Sequence, residues 1–171
     1  MADTRTAMQK VFSFDTAMLL VRICLGLVFM FHGGQKMFGW FGGRGWEATV
    51  KGFAGMGIPE PLAIMVPITE FVGGACIVVG LLSRFWAAGL AIVMINAIAL
   101  VHFKDGWHPE TGQWLGLKAL WTGTKELGTS GIESQTVLLL VSLAVFFGGP
   151  GGWAVADLEG WLLGLRRRPP A

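Results

Sequence analysis

Apolar residues fall in four long blocks, at 16–36, 61–82, 85–103 and 133–148, separated by stretches rich in Gly, Trp and charge. A helix crossing the hydrocarbon core of a bilayer needs ~20 mostly apolar residues, so each block predicts a membrane span. The fourth is the shortest and must draw on flanking residues or local thinning of the bilayer. Two blocks are interrupted. The first ends in Phe31-His32-Gly33-Gly34-Gln35-Lys36-Met37-Phe38-Gly39-Trp40, and the second carries Glu70 well inside it. An ionisable group at the centre of a span costs about 2.5–3.5 kcal/mol on the mildest scale, so such residues mark a functional site by default.

The connecting stretches carry patterns of their own. Trp46, Val50, Phe53 and Ala54 recur at helical spacing and predict a short interfacial helix that ends at Gly57 and Pro59. In the 104–132 stretch, Pro109 can start a helix on which Trp114, Leu117 and Trp121 share a face, predicting a second interfacial helix. Trp40, Trp46, Trp107, Trp114 and Trp121 then form one aromatic belt, and Trp86, Trp153 and Trp161 the other, in a chain without Tyr. Gly73-Gly74 beside Glu70 lets a second backbone approach closely. Gly148-Gly149-Pro150-Gly151-Gly152 lacks the Lys-Ser/Thr ending of a phosphate loop and reads as a helix terminator.

Composition narrows the class. Of 171 residues, 53% are hydrophobic and 14% charged, against roughly 25% charged in a soluble domain. The reading is all-α: a four-transmembrane-helix bundle over 16–157 with short interfacial helices in its outer loops. A polar segment, 1–15, precedes it and a basic tail, 158–171, follows. Four spans put both termini on one side. That side holds Arg5, Lys10, Arg22, Arg84 and Arg166–Arg168 against Asp3, Asp15, Asp157 and Glu159, which predicts cytoplasmic termini. The first span ends without a small-residue cleavage site and is expected to be retained. A net charge of +2 gives no case for nucleic acid; the terminal arginines suit lipid headgroups.

Depth then groups the polar residues. At 1.5 Å per residue, Glu70 lies about 13 Å below the outer surface, and His32 and Lys36 sit one turn apart near the outer end of the first span. Asn96, the chain's only Asn, falls at a depth similar to that of Glu70, His102 at the outer end of the third span, and Glu133 at the start of the fourth. Scattered accidents would not favour one leaflet. One chemistry that fits is a quinone site, with Glu70 and His32 as catalytic residues and Lys36, Asn96, His102 and Glu133 lining the substrate. Quinone chemistry moves protons with electrons and needs such partners at the ring oxygens. A haem held by His32 and His102 is a weaker reading, because two histidines at matching height are slender support for ligation. The bland reading is that these groups only join helices, at under ~1 kcal/mol per contact. No metal cluster and no nucleophile–base–acid arrangement stands out, so hydrolase chemistry has no support. Cys24 and Cys76 are isolated and apolar-flanked, as small hydrophobes are, and at matching depth they are candidate neighbours. Arg22, about 9 Å from the cytoplasmic edge, is expected to snorkel or to pair with a carboxylate such as Asp157.

These pieces together resemble the DoxX family of small bacterial membrane proteins. The matching residues are Arg22-Ile23-Cys24-Leu25-Gly26-Leu27-Val28-Phe29 leading into His32-Gly33-Gly34-Gln35-Lys36, then Gly57-Ile58-Pro59, Glu70 with Gly73-Gly74, Gly80-Leu81-Leu82-Ser83-Arg84, and Gly149-Pro150-Gly151 through Asp157. The Trp-rich stretch at 104–132 departs from the family pattern. The resemblance implies a four-helix inner-membrane protein tied to redox chemistry, in some relatives as a subunit of a quinone-linked oxidoreductase. It leaves two functional classes: a quinone-handling subunit, or a non-catalytic anchor that docks a protein partner through the Trp-rich loop, alone or as a homo-oligomer. A small transporter is a third reading, which four spans without a repeat would need an oligomer to support.

Overall fold

The computed structural model describes residues 13–102, 132–155 and 160. The described residues form an all-α membrane bundle. Its helices are α1 (Phe14–Phe38), α2 (Gly45–Gly55), α3 (Glu60–Val79), α4 (Ser83–Asn96) and α5 (Glu133–Gly148). A single 3₁₀ turn (Trp40–Gly42) joins α1 to α2, and a π-helical turn (Ala97–His102) continues α4. Three helices are long and apolar enough to span a bilayer, over Phe14–Phe38, Glu60–Val79 and Ser83–Leu100; Glu133–Gly148 is shorter. The second predicted interfacial helix and Trp107, Trp114, Trp121 and Trp161 lie outside the described residues.

Local chemistry sets the boundaries. Ser13 caps α1, its hydroxyl accepting from the Thr16 amide at 3.3 Å. Gly39 ends α1 in the left-handed conformation (φ 70°), which a glycine adopts without strain. Gly57 (φ 78°) and the Pro59 cap separate α2 from α3, as their sequence predicts. Gly149 ends α5 at φ 77°, and the glycine run there terminates a helix rather than cradling phosphate.

α1 packs chiefly on α3, and α4 on α5. The first contact depends on glycine. Gly26 and Gly74 face each other so closely that a Cβ on Gly74 would stand 2.7 Å from the Gly26 carbonyl oxygen. Small residues allow helix backbones to approach in this way inside a membrane, where dispersion replaces the hydrophobic effect as the drive for association. The core around Leu25, Phe29, Ile77, Leu90 and Val145 fills the space between α1, α3, α4 and α5. The exposed apolar residues, among them Leu20, Leu27, Ile92 and Leu140, lie on the outer faces of these helices. They meet the bilayer.

At the lower end of the bundle, which carries Phe14, the turn at Gly80 and the end of α5, three contacts hold the segment after α5. The Gly152 amide donates to Asp15 at 2.8 Å, the Val155 amide donates to the Val79 carbonyl at 3.0 Å, and Arg22 Nη2 donates to the Trp153 carbonyl at 3.2 Å. Arg22 is fully buried, so it does not snorkel; the gap beside Gly80, which has no Cβ, admits its guanidinium. Asp157, its expected partner, lies outside the described residues. Trp86 also departs from expectation. Its indole packs over Gly73, where a Cβ would stand 2.8 Å from Cε3, and its nitrogen is buried. It is a packing residue of the bundle rather than part of a belt.

Arg84 closes the last turn of α5. Its Nη1 donates to the Phe146 carbonyl at 2.6 Å and the Phe147 carbonyl at 3.0 Å, two of the four acceptors that a helix end leaves unmet. Arg84→Ala is expected to cost about 1–2 kcal/mol, the lower part of the range for hydrogen bonds to a charged group because the site is exposed. Thermal unfolding of the detergent-solubilised protein measures this. Arg84→Lys should recover only part, since the lysine ammonium stops one bond short of the Nη1 that reaches both carbonyls. An unchanged melting temperature for Arg84→Ala would sink the assignment.

Candidate functional site

The site is at the upper end, where α1 finishes and α3 begins. Helix periodicity along α3 places Ala63, Pro67, Glu70, Gly74 and Ile77 on one buried face, at the i, i+4, i+7 spacing of a packed stripe. Glu70 therefore points into the bundle, not at lipid. Pro67, one turn before it, brings no amide hydrogen to the helix, which frees the Ala63 carbonyl of its usual partner. On α1, Gly33 and Gly34 are buried. Gly33 lies against the backbone of α3, where a Cβ would stand 2.8 Å from the Phe71 Cα. That approach brings the next turn of α1 level with Glu70.

Lys36 meets Glu70 there. Its Nζ donates to both carboxylate oxygens, Oε1 and Oε2, forming a forked ion pair. The two partners differ in access: the Glu70 side chain is 2% exposed and that of Lys36 30%. A lone buried charge is costly, and a pair with good geometry removes most of that cost. The pair is sealed on the α3 side and open on the α1 side. Thr49, the one buried residue of α2, donates to the Lys36 carbonyl at 3.4 Å. The interfacial helix is thereby tied to the end of α1.

The remaining candidates separate. His32 is exposed, one turn deeper on α1, with its ring edge-on to Phe31 at 5.7 Å. The Gln35 side chain is its polar neighbour, and the Lys36 and Glu70 charges act on it. Asn96 does not turn to the pair. Its side chain is exposed and its amide donates to the Ile92 carbonyl of its own helix at 2.8 Å. Glu133 is half-buried in the first turn of α5 and forms no hydrogen bond with the pair. His102 closes the π-helical turn at the same end of the bundle; its side chain lies outside the described residues. The structure thus joins Lys36 to Glu70, sets His32 within electrostatic reach of both, and leaves Asn96 and Glu133 apart.

An aromatic cluster beside the pair is absent from the sequence reading. Phe41 stacks on Phe31 at 4.6 Å and 19°, Phe38 packs on Trp40 at 4.7 Å, and both Phe38 and Trp40 meet Phe71 edge-on at 5.2 and 5.7 Å. Phe71 follows Glu70 directly in α3, so the rings at the end of α1 pack on the same turn of α3 that carries the buried carboxylate. The sequence signal was the density of Phe and Trp at 38–41, which reads equally well as an interfacial belt. Among the described residues, no group of three or more His, Cys, Asp or Glu is placed to hold a metal ion. Cys24 and Cys76 are both free thiols, the first exposed and the second half-buried.

The DoxX family model matches residues 17–103, which takes in α1 to α4, the Lys36–Glu70 pair and the aromatic cluster. The chain is 32% identical over 92 residues to a Bacillus subtilis protein named "Putative oxidoreductase CatD". That match covers 54% of this chain and 64% of the relative, so less than two thirds of the relative's own length is spanned. It is also 29% identical over 141 residues to an uncharacterized membrane protein of Mycobacterium tuberculosis, covering 81% of this chain and 78% of that one. No solved structure matches. With half of its length matched by the family model and a bundle to suit, the chain belongs to the DoxX family.

Proposed function

We propose that this protein is a small integral-membrane subunit of a quinone-linked oxidoreductase, and that the Lys36–Glu70 pair is its proton-handling site. The observation that carries this reading is the pair itself. A carboxylate 2% exposed inside a span, forked on a single lysine that keeps an open side, is a group that can take up and release a proton where water is scarce. The name of the Bacillus subtilis relative supports a redox association. In this reading the upper end lies at the outer leaflet of a bacterial inner membrane, with both termini cytoplasmic.

The donor set fits a quinone. Reduction of a quinone to a quinol takes two electrons and two protons, and the electrons come from a reductant held by a partner subunit. Lys36 and His32 offer N–H donors for a ring oxygen. When a quinol is oxidised, Glu70, ionised in the pair, takes one of the two protons and His32 the other; when a quinone is reduced the same two groups return them, and Lys36 keeps the carboxylate oriented. Asn96, bonded to its own helix, is outside this minimal set.

Titrating the purified protein with a menaquinone analogue tests the reading by calorimetry. Wild-type protein is expected to bind, and the Glu70→Gln, His32→Ala double variant to lose at least about tenfold in affinity, one lost charged hydrogen bond being worth about 1.5–3 kcal/mol. Equal binding by the two proteins would overturn it.

A further inference from the structure

The pair is closed at Glu70 and open at Lys36, and what lies one turn below Lys36 on α1 is unusual. His32 is exposed about 9 Å below the end of α1, at a depth where an imidazole has lipid rather than water beside it. Gln35 can satisfy at most one of its two ring nitrogens. A polar side chain facing hydrocarbon with a nitrogen to spare points to a ligand, because interhelical contact does not account for it. Next to it is Phe31, and on Phe31 is stacked Phe41.

Phe41 is 70% exposed and has left-handed backbone angles, φ 55° and ψ 31°. For a bulky residue that conformation costs about 1–3 kcal/mol. A belt aromatic that only anchors a turn at the membrane interface can sit on relaxed backbone. Here the strained backbone instead stacks the ring on one face of Phe31 at 4.6 Å, while the His32 imidazole stands edge-on to Phe31 at 5.7 Å. An exposed phenyl ring and an exposed imidazole thus flank Phe31, and His32 lies one turn of α1 below Lys36.

We infer that the Lys36–Glu70 site is reached from within the bilayer, along the seam of α1 lined by Phe31, His32 and Phe41, and that its ligand is a long-tailed quinone rather than a water-soluble one. This rests on the quinone reading above. The exposed Phe41 ring receives the flat head, the imidazole meets a ring oxygen, and the tail lies along the exposed apolar face of α1 below, where Leu27 and Leu20 are 55% and 63% exposed.

Two naphthoquinones that share a head test this: menaquinone-4, which has a prenyl tail, and menadione, which has none. Binding is measured in nanodiscs and expressed per lipid, so that partitioning alone does not favour the tailed compound. Wild-type protein is expected to prefer menaquinone-4 by at least about tenfold. Phe31→Ala and Phe41→Ala should each weaken it about two- to tenfold, the fold-change that corresponds to one aromatic contact of ~0.5–1.5 kcal/mol. Phe41→Gly removes the ring and also the backbone strain. It should melt at or above the wild-type temperature and yet bind as weakly as Phe41→Ala, which separates loss of the surface from loss of the fold. If neither compound binds wild-type protein, the quinone reading itself fails. If menaquinone-4 binds and Glu70→Gln abolishes this, while the Phe31 and Phe41 variants bind like wild type, the site stands and the seam is wrong.

Discussion

Lys36→Met is expected to destabilise the protein by about 3–5 kcal/mol, the usual consequence of leaving one member of a buried ion pair alone. The cost falls on Glu70, whose side chain is 2% exposed and has no other hydrogen-bond partner among the described residues. Glu70→Gln should cost less. The Lys36 side chain is 30% exposed and sits in the last turn of α1, so its long stem can carry the ammonium to the headgroups. Replacing both, as Lys36→Met with Glu70→Leu, should bring stability back to within about 1 kcal/mol of wild type, since apolar residues of similar volume often equal a buried pair. With the single variant Glu70→Leu added, Lys36→Met and the double variant make a double-mutant cycle, with the coupling read from thermal unfolding in detergent. The double variant also divides structure from function. It is expected to be well folded and unable to bind quinone. A Lys36→Met protein as stable as wild type would show that the pair contributes no energy to the bundle, and Glu70 would then need another partner.

That pair was only partly within reach of sequence arithmetic, and the reason shows where such arithmetic stops. Counting 1.5 Å per residue puts Lys36 at the outer end of its span and Glu70 about 13 Å deep in the same half of the bundle, and the structure pairs them across that difference. Depth comes from length alone. Direction around a helix does not, and here the helices are apolar on every side, so periodicity carries little information about which face is inward. Asn96 lies at the right depth but points outward and bonds to Ile92. Trp86, assigned to a belt by its position near a span end, turns inward because Gly73 leaves room for an indole. Arg22 was expected to snorkel or to pair with a carboxylate such as Asp157; it is wholly buried and donates to the Trp153 carbonyl. The short helix Gly45–Gly55 was legible from Trp46, Val50 and Phe53, yet its buried residue is Thr49, whose hydrogen bond to a helix-end carbonyl has no signature in the pattern. Phe41 was hardest of all. Nothing in a Gly-Trp-Phe-Gly run announces that the phenylalanine joins Gly39 (φ 70°) and Gly42 (φ 78°) in the left-handed region.

The Gly26–Gly74 contact sets how closely α1 and α3 approach, and enlarging it should have the broadest effect of any single substitution. A Cβ on Gly74 would lie 2.7 Å from the Gly26 carbonyl oxygen and 3.0 Å from Met30 Cγ. The methionine can move aside; the carbonyl belongs to backbone and cannot. Gly74→Ala must therefore push α1 and α3 apart, at about 1–3 kcal/mol for an overpacked contact. Helix propensity works the other way, but favours Ala over Gly by only about 1 kcal/mol. Repulsion wins. Gly74→Leu adds three further carbons to the same gap and should yield little folded protein. Separation of these two helices also draws Lys36 away from Glu70, which sits one turn from Gly74 on the same face of α3. Gly74→Ala should accordingly lose quinone affinity as well as stability, although its side chain touches neither charged residue. Gly55→Ala provides the control, because a Cβ there meets nothing within 4 Å; it should bind and melt like wild type or slightly above it. If Gly74→Ala and Gly55→Ala behave alike in both measurements, the close crossing of α1 and α3 is not what holds the ion pair together.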